Sequence, residues 1–365
     1  YLAVAHVLSR YQVPTTQLDR GWMNTNAVTV IDTDEPDKPH PVLLDDPDAG
    51  AANPWGVSFS GDGGKLFVTH AGTHELSVID FPALLERMKR EGRSNEPVSE
   101  RLGFLHGLRT RIALPLNGPR SVASDGKNVY VAGYFSDSLA EISLKDACKS
   151  RAIPLNGQFR PSRDKLGERY FHAASHCFQG WRGCATCHPD GRVDGLNWDL
   201  LNDGMGNPKN TRTMFLSHRT SPVMTLGVRA SAEVAVTAGF VHIQFLEPSG
   251  ELAECVNAYL KNMKEVPSPF LVAHTPSKQQ TGGEGCAQCH APGVERGALS
   301  ESARRGREVF KTAGCVRCHP HPYFTNKELV ATGTATGLDE GKSVLVPSLV
   351  EVWRTAPYLH DGRAK

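Results

Sequence analysis

The chain has 365 residues, 40 Lys and Arg against 39 Asp and Glu, a formal net charge of +1 and 39% apolar residues. That length admits two or more domains, and the balanced, scattered charge excludes a nucleic-acid binder or a protein held on an anionic membrane by a basic patch. No apolar run approaches the roughly 18 residues of a membrane span.

The sequence opens at Tyr1 inside an apolar alternation, YLAVAHVL, that reads as a strand, so a leader or further chain is expected upstream. Residues 1–157 are expected to be all-β and repetitive. NPWGVSFSGDGGKLFVTHAGTHELSVID (53–80) aligns with GPRSVASDGKNVYVAGYFSDSLAEIS (118–143), matching Pro54 with Pro119, Val57 with Val122, Val68 with Val131, Leu76 with Leu139 and Ile79 with Ile142. NAVTVID (26–32) repeats the last strand of that unit. Short alternating strands with Asp-Gly and Gly-Gly turns, recurring every few dozen residues, predict propeller blades. The unit resembles the YVTN-type β-propeller repeat. About two and a half blades are legible, and a closed ring needs at least about four, so further blades are expected before Tyr1. The charged helical stretch 82–100 reads as an insertion between blades.

From residue 158 the pattern becomes helical with long Gly- and Pro-rich loops. LGERYF (166–171) and RRGREVF (304–310) each predict an amphipathic helix that delivers the chain to a Cys-x-x-Cys-His motif, which suggests a duplicated module. ELAECVNAYLKNM (251–263) has helical spacing and ends at a proline breaker. Six of the nine cysteines fall into three such motifs: Cys184, Cys187, His188; Cys286, Cys289, His290; and Cys315, Cys318, His319. The spacing lets two thiols form thioethers with haem vinyls while the adjoining imidazole reaches the iron. A zinc site would want a second Cys/His pair for each half-site and has no need of the trailing His. Three haem c groups are therefore expected, the middle one being the least secure, and covalent attachment implies a periplasmic or otherwise extracytoplasmic protein. For Cys148, Cys177 and Cys255, one disulfide with a free thiol and simple buried thiols both stand open.

The residues from 160 to 365 resemble the bacterial dihaem cytochrome c peroxidase superfamily. The resemblance rests on the two helix-plus-motif units, GRVDGL after the first motif, NPKNTRT (207–213), AYLKNMKEVPSPF, HPYFTN after the last motif, and PSLVEVWRTAPYLHDGR (347–363). It implies that His188 is the proximal ligand of a reactive haem and His319 that of an electron-transfer haem. It also implies a calcium ion held by Asn210 with Thr355 and Pro357, oxygen donors suited to a hard cation.

Three departures from the family's pattern bear on the chemistry. The loop position where many such enzymes carry a blocking His falls on Asn202, and no His occurs between His188 and His218. Met205 is the only soft ligand there and is assigned to packing, so the His188 iron is expected to be open. The family's inter-haem Trp falls near Leu226, with Trp181 and Trp198 assigned to structure. The segment that carries the acid–base Glu is shortened, leaving Glu247 and His242 as candidates for moving the proton that O–O cleavage requires. The Cys286 motif has no counterpart in the two-haem pattern, and a haem there would extend the electron path.

The expected fold class is multidomain: a partial all-β propeller followed by mainly α c-type cytochrome domains. The boundaries are 1–157 for propeller blades incomplete at the N-terminus, 158–273 for the first cytochrome domain, 274–300 for an insertion with the extra motif, and 301–365 for the second cytochrome domain, incomplete at the C-terminus. The expected function is an extracytoplasmic oxidoreductase that reduces hydrogen peroxide or uses an oxidised iron against a substrate. Its electrons would come from a small cytochrome c or cupredoxin. The competing reading is a non-catalytic multihaem electron carrier with the propeller as docking platform.

Overall fold

In the computed structural model, residues 1–12, 21–91, 97–146, 149–155, 160–200, 205–268 and 300–364 are described. Cys148, Asn202, the motif Cys286, Cys289, His290 and nearly all of the 274–300 insertion lie outside them.

Three antiparallel sheets follow one another along the chain. The first pairs β1 (Leu2–Ser9), β2 (Asn24–Ile31) and β3 (His40–Leu43) in that order. The second joins β4 (Pro54–Phe59), β5 (Lys65–His70), β6 (Glu75–Asp80) and, after helix α1 (Phe81–Glu91), β7 (Arg109–Ala113). The third runs β8 (Pro119–Ser124), β9 (Asn128–Gly133), β10 (Ser138–Ser143) and β11 (Ser150–Pro154).

The sequence repeat is realised residue by residue. Val57 faces Val68 as Val122 faces Val131, and Leu66 faces Ile79 as Val129 faces Ile142. Both units shift register just after the equivalent prolines, Pro54 and Pro119. β2 lies between β1 and β3 as β6 lies between β5 and β7, the place the NAVTVID match gave it.

Strand alternation then glues the sheets face to face. Leu66, Val68 and Ile79 point into one core with Val28, Val30 and Val42 of the first sheet. Phe67 and Leu76, of opposite parity, point into a second core with Val129, Val131 and Ile142 of the third. One expectation needs correcting. The 82–100 insertion does not separate two sheets but falls inside the second, between its third and fourth strands. β7, with sequence RTRIA, is too charged to read as a core strand. Its arginines instead reach back to the first sheet's loop, Arg109 and Arg111 to Asp46 at 2.5 and 2.9 Å.

Helices dominate from 160 onward. α2 (Arg163–His172) crosses α5 (Gly250–Asn262), with α4 (Ala232–His242) alongside, around a core of Phe171, Val236, Phe240, Leu252, Val256 and Leu260. α2 crosses α5 closely because Gly167 has no side chain, and a Cβ there would strike the Cys255 carbonyl. Ser231 and Ser249 cap α4 and α5 through the backbone N–H groups of Val234 and Leu252. Between α2 and α4 lie α3 (Cys184–Cys187) and the two-residue pair β12 (Asn197–Trp198) and β13 (Lys209–Asn210). α6 (Glu301–Thr312), capped by Ser300, leads to the third motif and buries no residue of its own. β14 (Leu329–Val330) pairs with β15 (Val344–Leu345), and the remaining chain to 364 returns to the first motif's loops. Among the described residues no helix is long and apolar enough to cross a membrane. Cys177 and Cys255 are both buried and unpaired, so for these two the buried-thiol alternative holds.

His70 illustrates the polar order within the sheets. It is fully buried, with Nδ1 donating to the Ala51 carbonyl at 3.0 Å and Nε2 accepting from Ser77 Oγ at 2.7 Å. Burial, with Arg111 and Arg109 close by, depresses its pKa well below 6.5. The folded state therefore refuses a proton that the unfolded chain takes up, and stability is lost as pH falls below about 6.5. The loss from this one group approaches about 1.4 kcal/mol per pH unit. Urea unfolding at a series of pH values from 7.5 to 5 should show a shallower decline in the His70→Gln variant than in the parent, even though that variant starts less stable.

Candidate functional site

The first Cys-x-x-Cys-His motif forms a single helical turn, α3, begun at Gly183 and closed by the His188 N–H on the Cys184 carbonyl at 3.0 Å. Gly183 is required because a Cβ would crowd the His172 and Ala173 carbonyls at the end of α2. Past His188, Asp190 and Gly191 both take left-handed φ, 51° and 70°, which turns the chain back. The Arg192 carbonyl consequently sits 3.1 Å from His188 Nδ1. A carbonyl can only accept, so Nδ1 carries the proton and Nε2 is left with its lone pair, the tautomer a metal-ligating imidazole needs.

The third motif repeats this device. The His319 N–H closes on the Cys315 carbonyl at 2.9 Å, and Nδ1 donates to the Phe324 carbonyl at 2.8 Å, with Phe324 itself at φ 50°. In both motifs the two thiols are free. Burial pushes the Cys184 and Cys187 thiols up to about 12, so they stand as neutral thiols. Among the described residues no cluster of three or more His, Cys, Asp or Glu could hold a metal ion. A zinc site lacks its ligands there, whereas a pair of thiols on one helical turn beside a lone-pair imidazole is the donor set of haem c.

The surroundings of the two motifs differ. Cys184 and Ala185 pack against the helical core, and Asn24 of β2 lies 3.4 Å from Cys187 Sγ. The wall on that side is the rim of the β-sheets. Asn53 donates to the His172 carbonyl at 3.0 Å and accepts from Thr186, inside the motif, at 2.8 Å. Trp181, 1% exposed, sits where any Cβ on Gly21 or Gly50 would strike it, and its carbonyl accepts from Asn26 at 3.3 Å. Cys315, by contrast, is exposed, as is Val316 beside it.

Burial holds the His188 imidazole below its usual pKa, and the Arg212 backbone close by works the other way. Desolvation lowers the Arg212 pKa to about 10, and among the described residues its guanidinium donates to the Met224 carbonyl at 3.4 Å. No carboxylate among the described residues pairs with it, so it fits an anionic group such as a haem propionate. The sequence reading overlooked this residue, although it sits in the quoted NPKNTRT.

Other expected residues fall as follows. His242, at the end of α4, and Glu247 are both exposed, and neither touches the first motif through a described hydrogen bond. Between them, buried Gln244 does reach it, its amide lying within hydrogen-bonding range of Cys184 and of the His176 carbonyl. Met205 is 64% exposed, so it is not packing as expected. Trp198 is buried, with its N–H on Asp194 at 2.8 Å. The Asn210 amide lies 3.2 Å from the Pro357 carbonyl, and its backbone N–H donates to the His360 carbonyl at 2.8 Å. Thr355 is two residues away, its hydroxyl on the Val352 carbonyl. Beside them the Asn197 Oδ1 is buried with no hydrogen-bond partner, an orphan oxygen that a hard cation would satisfy.

No family model matches the chain. Two curated proteins of Kuenenia stuttgartiensis do align with it. Hydrazine synthase subunit beta is 30% identical, over 39% of this chain and 38% of that protein. Hydrazine synthase subunit gamma is 22% identical, over 57% of this chain and 68% of that protein. The chain thus spans less than two fifths of the beta subunit. Among solved structures, hydrazine synthase of the same organism under xenon pressure superposes with a TM-score of 0.43 at 22% identity, over 57% of this chain and 76% of that one. A MauG-like protein associated with microbial copper homeostasis gives 0.40 at 17% identity, over 58% and 73%.

Asn53 holds both the end of α2 and the motif turn to the sheets through buried groups. Replacing it with Ala leaves the His172 carbonyl and the Thr186 hydroxyl without those partners, at a cost of about 1–3 kcal/mol. Urea unfolding followed by tryptophan fluorescence should show a lower midpoint for Asn53→Ala, with an unchanged dependence on denaturant.

Proposed function

We propose that the chain is a c-type haem oxidoreductase of an extracytoplasmic compartment, with chemistry at the His188 motif and electrons entering through the His319 motif. The observation that carries this reading is the pair of matched imidazoles, each with Nδ1 fixed on a backbone carbonyl next to two free thiols. Bound at such a site, haem supplies a redox-active iron that accepts small ligands wherever the protein leaves a coordination position open.

The protein's own part is binding and orientation. Cys184 and Cys187 hold the porphyrin edge, His188 presents Nε2 to the metal, and Arg212 offers its guanidinium to a propionate. The walls contributed by the helical core and the sheet rim partly cover the first motif. The exposed Cys315 turn leaves the second edge open to a soluble donor such as a small cytochrome c or cupredoxin. Glu247 and His242 remain the acid–base candidates, on the segment that brings Gln244 to the motif. The three sheets are assigned to consecutive blades of a β-propeller, and Cys286, Cys289 and His290 to a third haem. Asn210, Pro357 and Thr355, joined by Asn197, are assigned to calcium between the haem modules.

Peroxide is the first candidate substrate. Similarity to two hydrazine synthase subunits favours a second class, small nitrogen compounds, at the same iron. Denatured mass spectrometry of protein produced with a haem-maturation system should show three covalent haem additions, and the oxidised protein should give a high-spin ferric resonance that hydrogen peroxide or hydroxylamine perturbs. A wholly low-spin spectrum, insensitive to both, would replace the enzyme reading with that of an electron carrier.

The calcium assignment has its own test. Chelation should slow electron transfer between the His319 and His188 irons in the parent protein and leave Asn210→Ala, already slow, unchanged. Metal analysis without calcium, together with unchanged kinetics, rejects the assignment.

A further inference from the structure

The loop that fixes His188 is itself gripped from the far end of the chain. Arg192 gives its carbonyl to His188 Nδ1 and sends its guanidinium onto Glu351, Nε to Oε2 at 2.6 Å and Nη2 to Oε1 at 2.8 Å. The two side chains are only 8% and 2% exposed. The other donors are also used: Nη1 goes to the Asp190 carbonyl at 2.8 Å and Nη2 to the Lys264 carbonyl at 2.9 Å. Glu351 in turn accepts the Val266 N–H at 2.6 Å. It occupies a left-handed conformation, φ 59°, unusual for Glu, at the start of the turn that continues into the Thr355 and Pro357 segment.

Apolar packing would join two loops as well as a buried ion pair does, since desolvation cancels much of the Coulomb gain. It would not hold the Arg192 backbone at a set angle, nor place a neutralised charge pair beside the iron ligand. Both properties act on the imidazole, because the partner of the outer nitrogen sets a ligand's orientation and basicity.

We propose that Arg192 and Glu351 are positioning residues for His188, through which the C-terminal segment carrying the third motif sets the electronic state of the iron at the first. This rests on haem being bound at Cys184 and Cys187. Glu351→Gln removes the carboxylate charge and leaves the Arg192 cation unneutralised, which disfavours the ferric state. Arg192→Lys keeps the charge but loses the two-pronged grip.

The test is spectroelectrochemical titration of the haem-loaded protein with resonance Raman of the iron–histidine stretch. Glu351→Gln should move the His188 reduction potential in the positive direction and leave that of His319 in place. Arg192→Lys should lower and broaden the His188 iron–histidine stretch. Both variants with an unmoved His188 potential and stretch would overturn the inference, even if their thermal stability falls. Parent protein without covalent haem on Cys184 and Cys187 would overturn the functional reading and this inference with it, a result that mass spectrometry separates from the first.

Discussion

Everything around the first motif depends on Trp181 being buried in the rim of the β-sheets. A buried indole removes about 150–250 Å² from water, worth on the order of 4–6 kcal/mol. Each flanking hydrogen bond, from Asn26 or Asn53, contributes about 1 kcal/mol net. Burial therefore drives the docking, and the hydrogen bonds decide its register. The close approach is set by two glycines of the rim: a side chain on Gly21 would occupy the indole's place, and one on Gly50 would strike the Gly180–Trp181 backbone. Since Trp181 precedes the first motif by three residues, docking it ties the motif turn to the sheets, on the side away from the helical core. The sheets are thus a wall of the site and more than a separate platform for partners.

The two motifs share one local design and live in different surroundings. In each, a left-handed residue swings a carbonyl back to Nδ1, at Gly191 for His188 and at Phe324 for His319. The tautomer is chosen by backbone geometry, and the two motifs share it. What they do not share is the enclosure. Sheet rim, α2, α4 and α5 surround the first turn, while α6 stands over the second with no residue buried. An enclosed site can select and desolvate a small ligand, and an open one favours rapid exchange with a protein partner. The difference between the two surroundings follows from packing alone.

Local pattern made much of this legible in the sequence. The Val57/Val122 and Val68/Val131 matches became cross-strand pairs in equivalent places, because strand alternation leaves a period-two trace that survives divergence. Helices α2, α5 and α6 were equally plain. The outer strands β7 and β11 were not. β11 is exposed, and β7 spends its arginines on ion pairs with Asp46 and Glu75, so the pattern of both is dominated by charge. Only the shared PLNG that follows each of them, at 115–118 and 154–157, marks the repeat. Misreading β7 placed the α1 insertion between sheets when it belongs within one. At the site, residues chosen for chemical type alone, Glu247 and His242, came out exposed, while Gln244 between them turned inward. No periodicity distinguishes these three where α4 ends and an irregular segment begins; only the fold does.

Contacts between distant parts of the chain were the least legible, and they carry the most consequence. Asn53 with Thr186, Asn210 with Pro357, and Arg192 with Glu351 are separated by 133, 147 and 159 residues. Each pairs a residue that reads as a turn or surface group with another that reads the same way. The first attaches the motif to the sheets, and the other two attach it to the C-terminal segment. Closing a loop over such separations costs more chain entropy than a local contact does, and no local pattern in the sequence announces the partner. A motif held from both sides has its imidazole tied to the whole chain, through one carbonyl towards the C-terminal segment and one hydroxyl towards the sheets.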